Sequence, residues 1–454
     1  MRTTVPVAAV RAGHLRGPPA YSAVMAGPDP TDADPTPAQR RVLDALDETE
    51  LVDTLVELVR VPSVTGTDAE SELQHTVARW CGEAGLEVDA WALDLDALRA
   101  DPDFPGTEAA RLEGYGVVGT SVGEGVPGLV LQGHVDVVPV GDVANWPGAQ
   151  PFSARISDGV LHGRGACDMK AGLAVNLAVA RALHRSGVRT ERRLALHSVV
   201  SEEDGGLGAL ATVRRGHTGE VAVITEPTSG RVVTANAGAL TFRLEVAGLA
   251  AHGSTRLDGV SAVEAFWPVH LALRELEAAR NADVHPLFAE TALPYGISIG
   301  TVHAGDWASS VPDLLVAQGR MGVRLGEDPA RARAALEEAV AEAAAADPWL
   351  RDHPPRTTWP GGQFASGRLP EGHVLLDEVA DAVHAVTGAR PVEAAAPYGS
   401  DLRLYAGPGG IPTLQYGPGD VRLAHAPRES VPLDEVVTVA RSLALLAARR
   451  LGAH

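Results

Sequence analysis

The chain has 454 residues, more than the ~100–200 of a typical single domain, so two or more domains are expected. Against 38 Lys and Arg stand 58 Asp and Glu, a net charge of −20 that argues against nucleic acid or an anionic membrane as partner. Two cysteines, Cys81 and Cys167, make no disulfide framework and suit a reducing cytoplasm, and no apolar run approaches the ~18 residues of a membrane helix.

Residues 1–36 are rich in Pro, Ala, Gly and Asp and lack helical or strand period, which predicts a disordered leader. No 7–15-residue apolar core follows Arg2 or Arg11, so a signal peptide is not expected. From Thr36 to Arg60 the apolar residues Val42, Leu43, Leu46, Leu51, Leu55 and Leu58 follow a helical period. Glu70–Ala84 predicts a second helix and Leu86–Leu93 a strand. Tyr115–Val122 and Gly128–Leu131 read as a pair of strands. Ala171–Leu183 is a small-residue helix suited to close packing on a sheet. Arg193–Val200 and Val221–Thr225 are buried strands.

After Ser229 the pattern changes. Val232–Val246 alternates like antiparallel strands, Gly259–Arg280 is helical, Gly296–His303 and Leu314–Leu325 are strands, and Asp328–Ala346 is an Ala- and Glu-rich helix. With Arg356–Trp359 as a last strand, the order is the β-α-β-β-α-β of a ferredoxin-like unit. The expected organisation is therefore residues 37–230 and 363–454 as two parts of one α/β domain, with an inserted α+β domain at 231–362. In the second part, His373–Val386 and Asp434–Arg450 are helices and Thr413–Tyr416 is a strand.

The polar residues that carry chemistry sit where apolar runs stop. The run Leu129–Leu131 ends in Gly133-His134-Val135-Asp136, Arg193–Val200 ends in Ser201-Glu202-Glu203-Asp204, and Val221–Thr225 ends in Glu226-Pro227. In α/β sheets ligands bind at the carboxyl ends of strands. On a fully extended strand His134 and Asp136 share a face, and a carboxylate beside an imidazole can hold one ring nitrogen while the other binds a metal. Asp168, in Ala166-Cys167-Asp168-Met169-Lys170, and His425, in Leu423-Ala424-His425-Ala426, complete the collection. Each alone has an ordinary explanation: a helix N-cap for Asp168, a solvated turn for Glu202-Glu203-Asp204, a turn carboxylate for Glu226. Together, two histidines and several carboxylates suit a pair of Zn²⁺ or similar ions, which need a bridging carboxylate. Asp168 is the natural bridge between the His134 and His425 sides. Of the adjacent Glu202 and Glu203, one can ligate while the other faces the attacking water.

The set Gly133-His134-Val135-Asp136, Gly163–Lys170, Ser201-Glu202-Glu203, Thr225-Glu226-Pro227-Thr228, Ala251-His252-Gly253-Ser254 and Ala424-His425-Ala426-Pro427 resembles the dizinc aminoacylase family. That family includes acetylornithine deacetylase, succinyl-diaminopimelate desuccinylase, aminoacylase-1 and the glutamate carboxypeptidases, and the resemblance spans about residues 40–450. It implies an α/β zinc-peptidase-like mixed sheet flanked by helices, with the inserted ferredoxin-like unit as a lid and dimerisation domain. It implies two Zn²⁺, or Co²⁺, with His134 and Glu226 on one ion, His425 and Glu203 on the other, and Asp168 bridging. Asp136 would clamp the His134 ring and Glu202 would act as general base. The Asp168–Met169 peptide would be cis. His252 would stabilise the tetrahedral oxyanion, reaching across from a dimer partner.

The activity so implied is deacylation of an N-acyl amino acid or similar small amine, closest to the acetylornithine deacetylase-like branch. The alternative is a dipeptidase or carboxypeptidase with the same machinery. The implied setting is a cytoplasmic homodimer acting on a small molecule. Some positions depart from the family pattern. Ser309 stands where many relatives have Asn, and Gly361-Gly362-Gln363-Phe364 replaces a Gly-Arg-Pro motif, removing one fork for a substrate carboxylate. Arg324 is then the candidate carboxylate clamp. Ser400, Asp401, Gly417 and Gly419 resemble the loops that line the substrate pocket.

Overall fold

The computed structural model describes residues 34–454. The leader expected over residues 1–36 lies outside the described residues, except for its last three. The helical pattern of 36–60 is two helices, Pro37–Asp44 and Glu48–Arg60, and not one. Thr36 and Gln39 form a reciprocal capping box on the first. Asp47 caps the second by accepting from the N–H groups of Thr49 and Glu50, both at 3.0 Å. The apolar period continues across the break because both helices bury the same stripe.

The large sheet is mixed. Its order is Glu87–Ala92, Tyr115–Thr120, Leu194–Val199, Leu129–His134, Ala222–Ile224, Thr413–Gln415, Val232–Asn236 and Gly367–Arg368, with Glu393–Ala396 also pairing on Val232–Asn236. The expected pair Tyr115–Val122 with Gly128–Leu131 does not form, because Leu194–Val199 lies between them. That strand is buried at every position and so needs a neighbour on each edge, which a hairpin of the two flanking strands would deny it. Four strands, 194–199, 129–134, 222–224 and 413–415, run parallel, so their carboxyl ends share one edge of the sheet. Helices flank this sheet. Ala171–Ser186 packs on strands 129–134 and 194–199 and against the closing helix Leu433–Arg450. The approach is close at Gly172, where a Cβ would meet the Thr225 carbonyl oxygen at 2.0 Å.

A second sheet runs Ile297–Ala304, Leu314–Val323, Gly238–Ala247, Arg356–Thr358, all antiparallel, with Gln363–Phe364 added on Gly238–Ala247. Helices Ala262–Arg280 and Pro329–Ala346 pack on it, completing the β-α-β-β-α-β order. Leu240, Phe242, Leu244 and Val246 alternate onto the core face against Phe266, Val269, Leu273, Leu336 and Val340. The chain changes sheets between Asn236 and Gly238: Val232–Asn236 belongs to the large sheet. Among the described residues no helix is long and apolar enough to cross a membrane.

Candidate active site

His134 is the last residue of its strand. Its Nδ1 lies 2.9 Å from the backbone carbonyl oxygen of Asp136, an acceptor only, so Nδ1 carries the hydrogen and Nε2 presents its lone pair. That Nε2 is buried and has no hydrogen-bond partner. Asp136, expected to clamp the ring, meets it first through its carbonyl, and its carboxylate stands 3.5 Å from the same Nδ1. The reason is local: the strand stops at His134, and with it the alternation that would put both side chains on one face. The Asp136 carboxylate accepts from the N–H groups of Glu202 (3.3 Å) and Glu203 (3.2 Å) and from Thr65 Oγ1 (2.9 Å). It holds the turn that bears both glutamates.

Asp168 sits in a widened turn, Ala166–Lys170, that feeds helix Ala171–Ser186, and the Asp168–Met169 peptide is cis. Asp168 does not cap the helix. One of its oxygens lies 3.4 Å from His134 Nε2 and the other 3.4 Å from His425 Nε2. Glu203 stands on the His425 side at 3.0 Å. Glu226 and Glu202 stand on the His134 side at 3.9 and 4.0 Å. Ser201 and His425 both take left-handed backbone (φ 67° and 59°), uncommon for residues with a Cβ and concentrated at functional sites.

A residue absent from the sequence reading, Glu429, underpins this turn. It is buried, paired with Arg164 at 2.5 Å, and accepts from the N–H groups of Cys167 and Asp168, each at 3.2 Å. Its place four residues after His425, in a loop, offers no local signal of that role. Lys170, also buried, donates to the carbonyls of Leu58 and Val61 and ties the turn to the end of helix Glu48–Arg60.

Four carboxylates, all but shielded from solvent, converge on two imidazoles. Burial, and then the neighbouring carboxylates, push Glu202 and Glu226 well above the usual range and Glu203 up to about 7. Its contacts with Asp168 and Glu203 push His425 up to about 11. Such a concentration of negative charge is costly unless cations balance it. Ligand atoms of His134, Asp168 and Glu203 lie within 4.8 Å of one another, and so do those of His134, Glu202 and Glu226. The orphaned Nε2 and the N/O donor set fit divalent ions.

Above the cluster opens a cavity of about 390 Å³. Asp168, Glu202, Glu203, Glu226 and His425 face it from below, and Glu108, Thr241, Arg320, Phe364, Tyr398 and Gly399 form walls. Arg324 is not among them. It lies just past the end of strand Leu314–Val323 and donates to the carbonyls of Ala279 and Arg280 at the end of a helix. The cavity arginine is Arg320, inside the strand and directly opposite Thr241 in register. Alternation from Ala239 and Thr241 could have found it once the pairing was known.

Ser400 and Asp401 are buried behind the wall. Ser400 Oγ accepts from Leu402 N, and Asp401 accepts from Gln132 Nε2 at 2.9 Å, so the lining comes from the three residues before them. Gly417 and Gly419 do not line the cavity either. Gly417 packs against the Thr225 carbonyl, and Gly419 (φ 100°) against Cys167, both beneath the ligand-bearing loops. His252 is exposed, bonded to Ser254, and does not line the cavity of its own chain.

The chain is 28% identical over 402 residues to N-formyl-4-amino-5-aminomethyl-2-methylpyrimidine deformylase of Halalkalibacterium halodurans, covering 82% of this chain and 87% of that protein. It is 27% identical over 396 residues to acetylornithine deacetylase of Pectobacterium atrosepticum, covering 82% and 91%. The solved structure of a dinuclear metal-binding peptidase from Bacillus subtilis shares the fold, with TM-score 0.57, 17% identity, and 90% and 99% of the two chains covered. Residues 130–449, which include every side chain converging on the cluster, match Peptidase family M20/M25/M40, and the chain belongs to that family of hydrolases.

Proposed function

We propose that this chain is a dinuclear metal-dependent deacylase that releases an acyl group from an N-acyl amino acid or related small amine. The observation that carries this reading is Asp168, which offers one oxygen to each histidine beneath a cavity with Glu202 at its base. His134 and Glu226 would hold one ion, His425 and Glu203 the other, with Asp168 between them. Zn²⁺ suits the N/O donors, and Co²⁺ is an alternative. When bound, the ions would supply Lewis acidity at the acyl carbonyl and lower the pKa of the attacking water. Glu202, held by its N–H on Asp136, takes the proton from that water and passes it to the departing amine nitrogen. The C–N bond breaks, giving a carboxylate and a free amine. Arg320 offers guanidinium donors to a substrate carboxylate.

Residues 231–362 would serve as lid and dimerisation domain, with His252 stabilising the oxyanion in a partner's site. Strand Ile297–Ala304 at the edge of the second sheet and Val263, Trp267 and Leu271, exposed on one helical face, support a homodimer. Both cysteines are free and buried, in keeping with a cytoplasmic setting. A dipeptidase is the second reading, favoured by the fold shared with a peptidase. A hydrolysis screen of zinc- or cobalt-loaded protein decides, using N-acetyl, N-succinyl and N-formyl amino acids and dipeptides with mass-spectrometric detection. Turnover of the N-acyl amino acids and not of the dipeptides is expected. Exhaustive chelation should abolish activity and re-addition restore it; activity indifferent to chelation contradicts the metal assignment.

A further inference from the structure

Behind the turn that bears Glu202 and Glu203 lies a buried ion pair that the hydrolytic scheme does not use. Glu70, in helix Asp68–Glu83, meets Arg111, in the irregular segment between helix Leu95–Arg99 and strand Tyr115–Thr120. The Glu70 and Arg111 side chains are 1% and 2% exposed. The contact is two-pronged: Nη1 donates to Oε2 of Glu70, and Nη2 donates to Oε1 at 3.1 Å. Desolvating two charges is costly, and apolar residues of the same volume often serve a fold as well or better. The pair therefore calls for a role besides stability.

The remaining lone pairs of Glu70 point to that role. Oε1 also accepts from the Ser201 N–H at 3.1 Å, and Oε2 accepts from the Gly66 N–H at 3.1 Å. Ser201 carries the left-handed backbone that opens the Glu202 turn. Gly66 follows Thr65, whose hydroxyl donates to the Asp136 carboxylate that holds the N–H groups of Glu202 and Glu203. Each oxygen of Glu70 thus supports the turn by its own route, one direct and one through Asp136. Arg111 fixes the plane in which those oxygens lie, and Asp136 and Asp204 are within electrostatic reach of the same guanidinium. The segment that brings Arg111 is tied to the turn as well: the N–H groups of Glu108 and Ala109 donate to Asp204 Oδ2 at 3.1 and 2.9 Å.

We propose that Arg111 is a positioning residue: through the two oxygens of Glu70 it sets where Glu202 and Glu203 stand at the two-ion site. A lysine there offers a point charge and not a fork, so it does not orient both oxygens. This rests on the dinuclear reading and not on the identity of the substrate.

The test is titration of metal-free, full-length protein with Co²⁺, followed by visible absorption and calorimetry, and it needs no turnover. The parent is compared with Arg111→Lys and with the double variant Glu70→Gln/Arg111→Met. The double variant leaves no unpaired buried charge and is expected to fold, but its amide has one acceptor oxygen where two N–H groups each had their own. Both variants should bind the ion assigned to His425 and Glu203 about ten-fold more weakly, the low end of what losing support behind a ligand costs, with a changed cobalt spectrum. Val77→Ala opens a cavity in the buried face of the same helix without touching the pair. It should lower stability and leave the spectrum and both affinities as in the parent. Folded variants with parental spectrum and affinities overturn the proposal. A spectrum altered equally by Val77→Ala overturns it too, since the pair would then act through stability alone. A parent that takes up no Co²⁺ overturns the dinuclear reading and this proposal with it, whereas two ions held equally well with and without Arg111 overturn the proposal alone.

Discussion

Glu202 is buried beside His134, with its backbone N–H on Asp136, so its carboxylate is positioned without being a ligand in the proposed scheme. Glu202→Gln keeps shape and burial and removes the proton acceptor. Turnover should fall by ~10²–10⁴ with metal content unchanged, because general-base transfer is what is lost. A variant with normal metal content and near-parental turnover would remove Glu202 from that role. A second residue sets an acid limit on stability. His197 is buried on the central strand with Nδ1 2.8 Å from the Tyr405 hydroxyl, and burial, then His217, push its pKa down to about 3. The unfolded imidazole takes a proton near pH 6.5 and the folded one does not. The unfolded state therefore binds more protons between pH 3 and 6.5, and the His197 contribution is whole above 6.5 and declines as pH falls, by up to about 1.4 kcal/mol per unit. His197→Gln should show a smaller difference in unfolding free energy between pH 7 and pH 5 than the parent, although its stability at pH 7 is lower.

Among the elements, helix Ala171–Ser186 sets the distance between the Asp168 turn and the Glu226 strand end. Its small residues lie against the sheet, and Gly172 leaves no room: the obstructing atom is the Thr225 backbone carbonyl, which no rotamer can move. Gly172→Ala should cost roughly 1–3 kcal/mol in urea unfolding by overpacking. Gly82, in helix Asp68–Glu83, has nothing within 4 Å of an added Cβ, so Gly82→Ala should stabilise by about 0.4–1 kcal/mol. Equal effects at the two positions would contradict the packing argument. The left-handed Ser201 and His425 show the same economy of space, since both bend a loop so that the following or resident side chain reaches the cluster.

At the scale of the whole molecule, the second sheet supplies part of the cavity wall. Ala239, Thr241 and Arg320 already face the cavity of their own chain, whereas His252 stands exposed outside it. If His252 acts across a two-fold axis, His252→Ala should keep fold and metal content and lower kcat more than it raises KM. Mixing His252→Ala subunits with Glu202→Gln subunits, each inactive alone, should then restore activity, because one site of each mixed dimer holds both groups. Proven subunit exchange without recovery would place His252 in its own subunit or outside the reaction.

Four of the converging side chains were legible in the sequence because each lies at the end of an apolar run. His134, Glu202, Glu203 and Glu226 need only the parallel arrangement of three strands to meet, and apolar periodicity predicts those strands. The alternation of Leu240, Phe242, Leu244 and Val246 likewise told which face of the second sheet is core. What escaped the sequence depends on pairing between distant segments. Leu194–Val199 inserts between strands that neighbour each other in the chain, because full burial favours the centre of the sheet. Arg320 lines the cavity and Arg324 does not, because strand length and cross-strand register decide which side chain faces where. Glu108 and Glu429 reach the site through contacts spanning 96 to 262 residues of sequence, and no local pattern encodes a contact of that range.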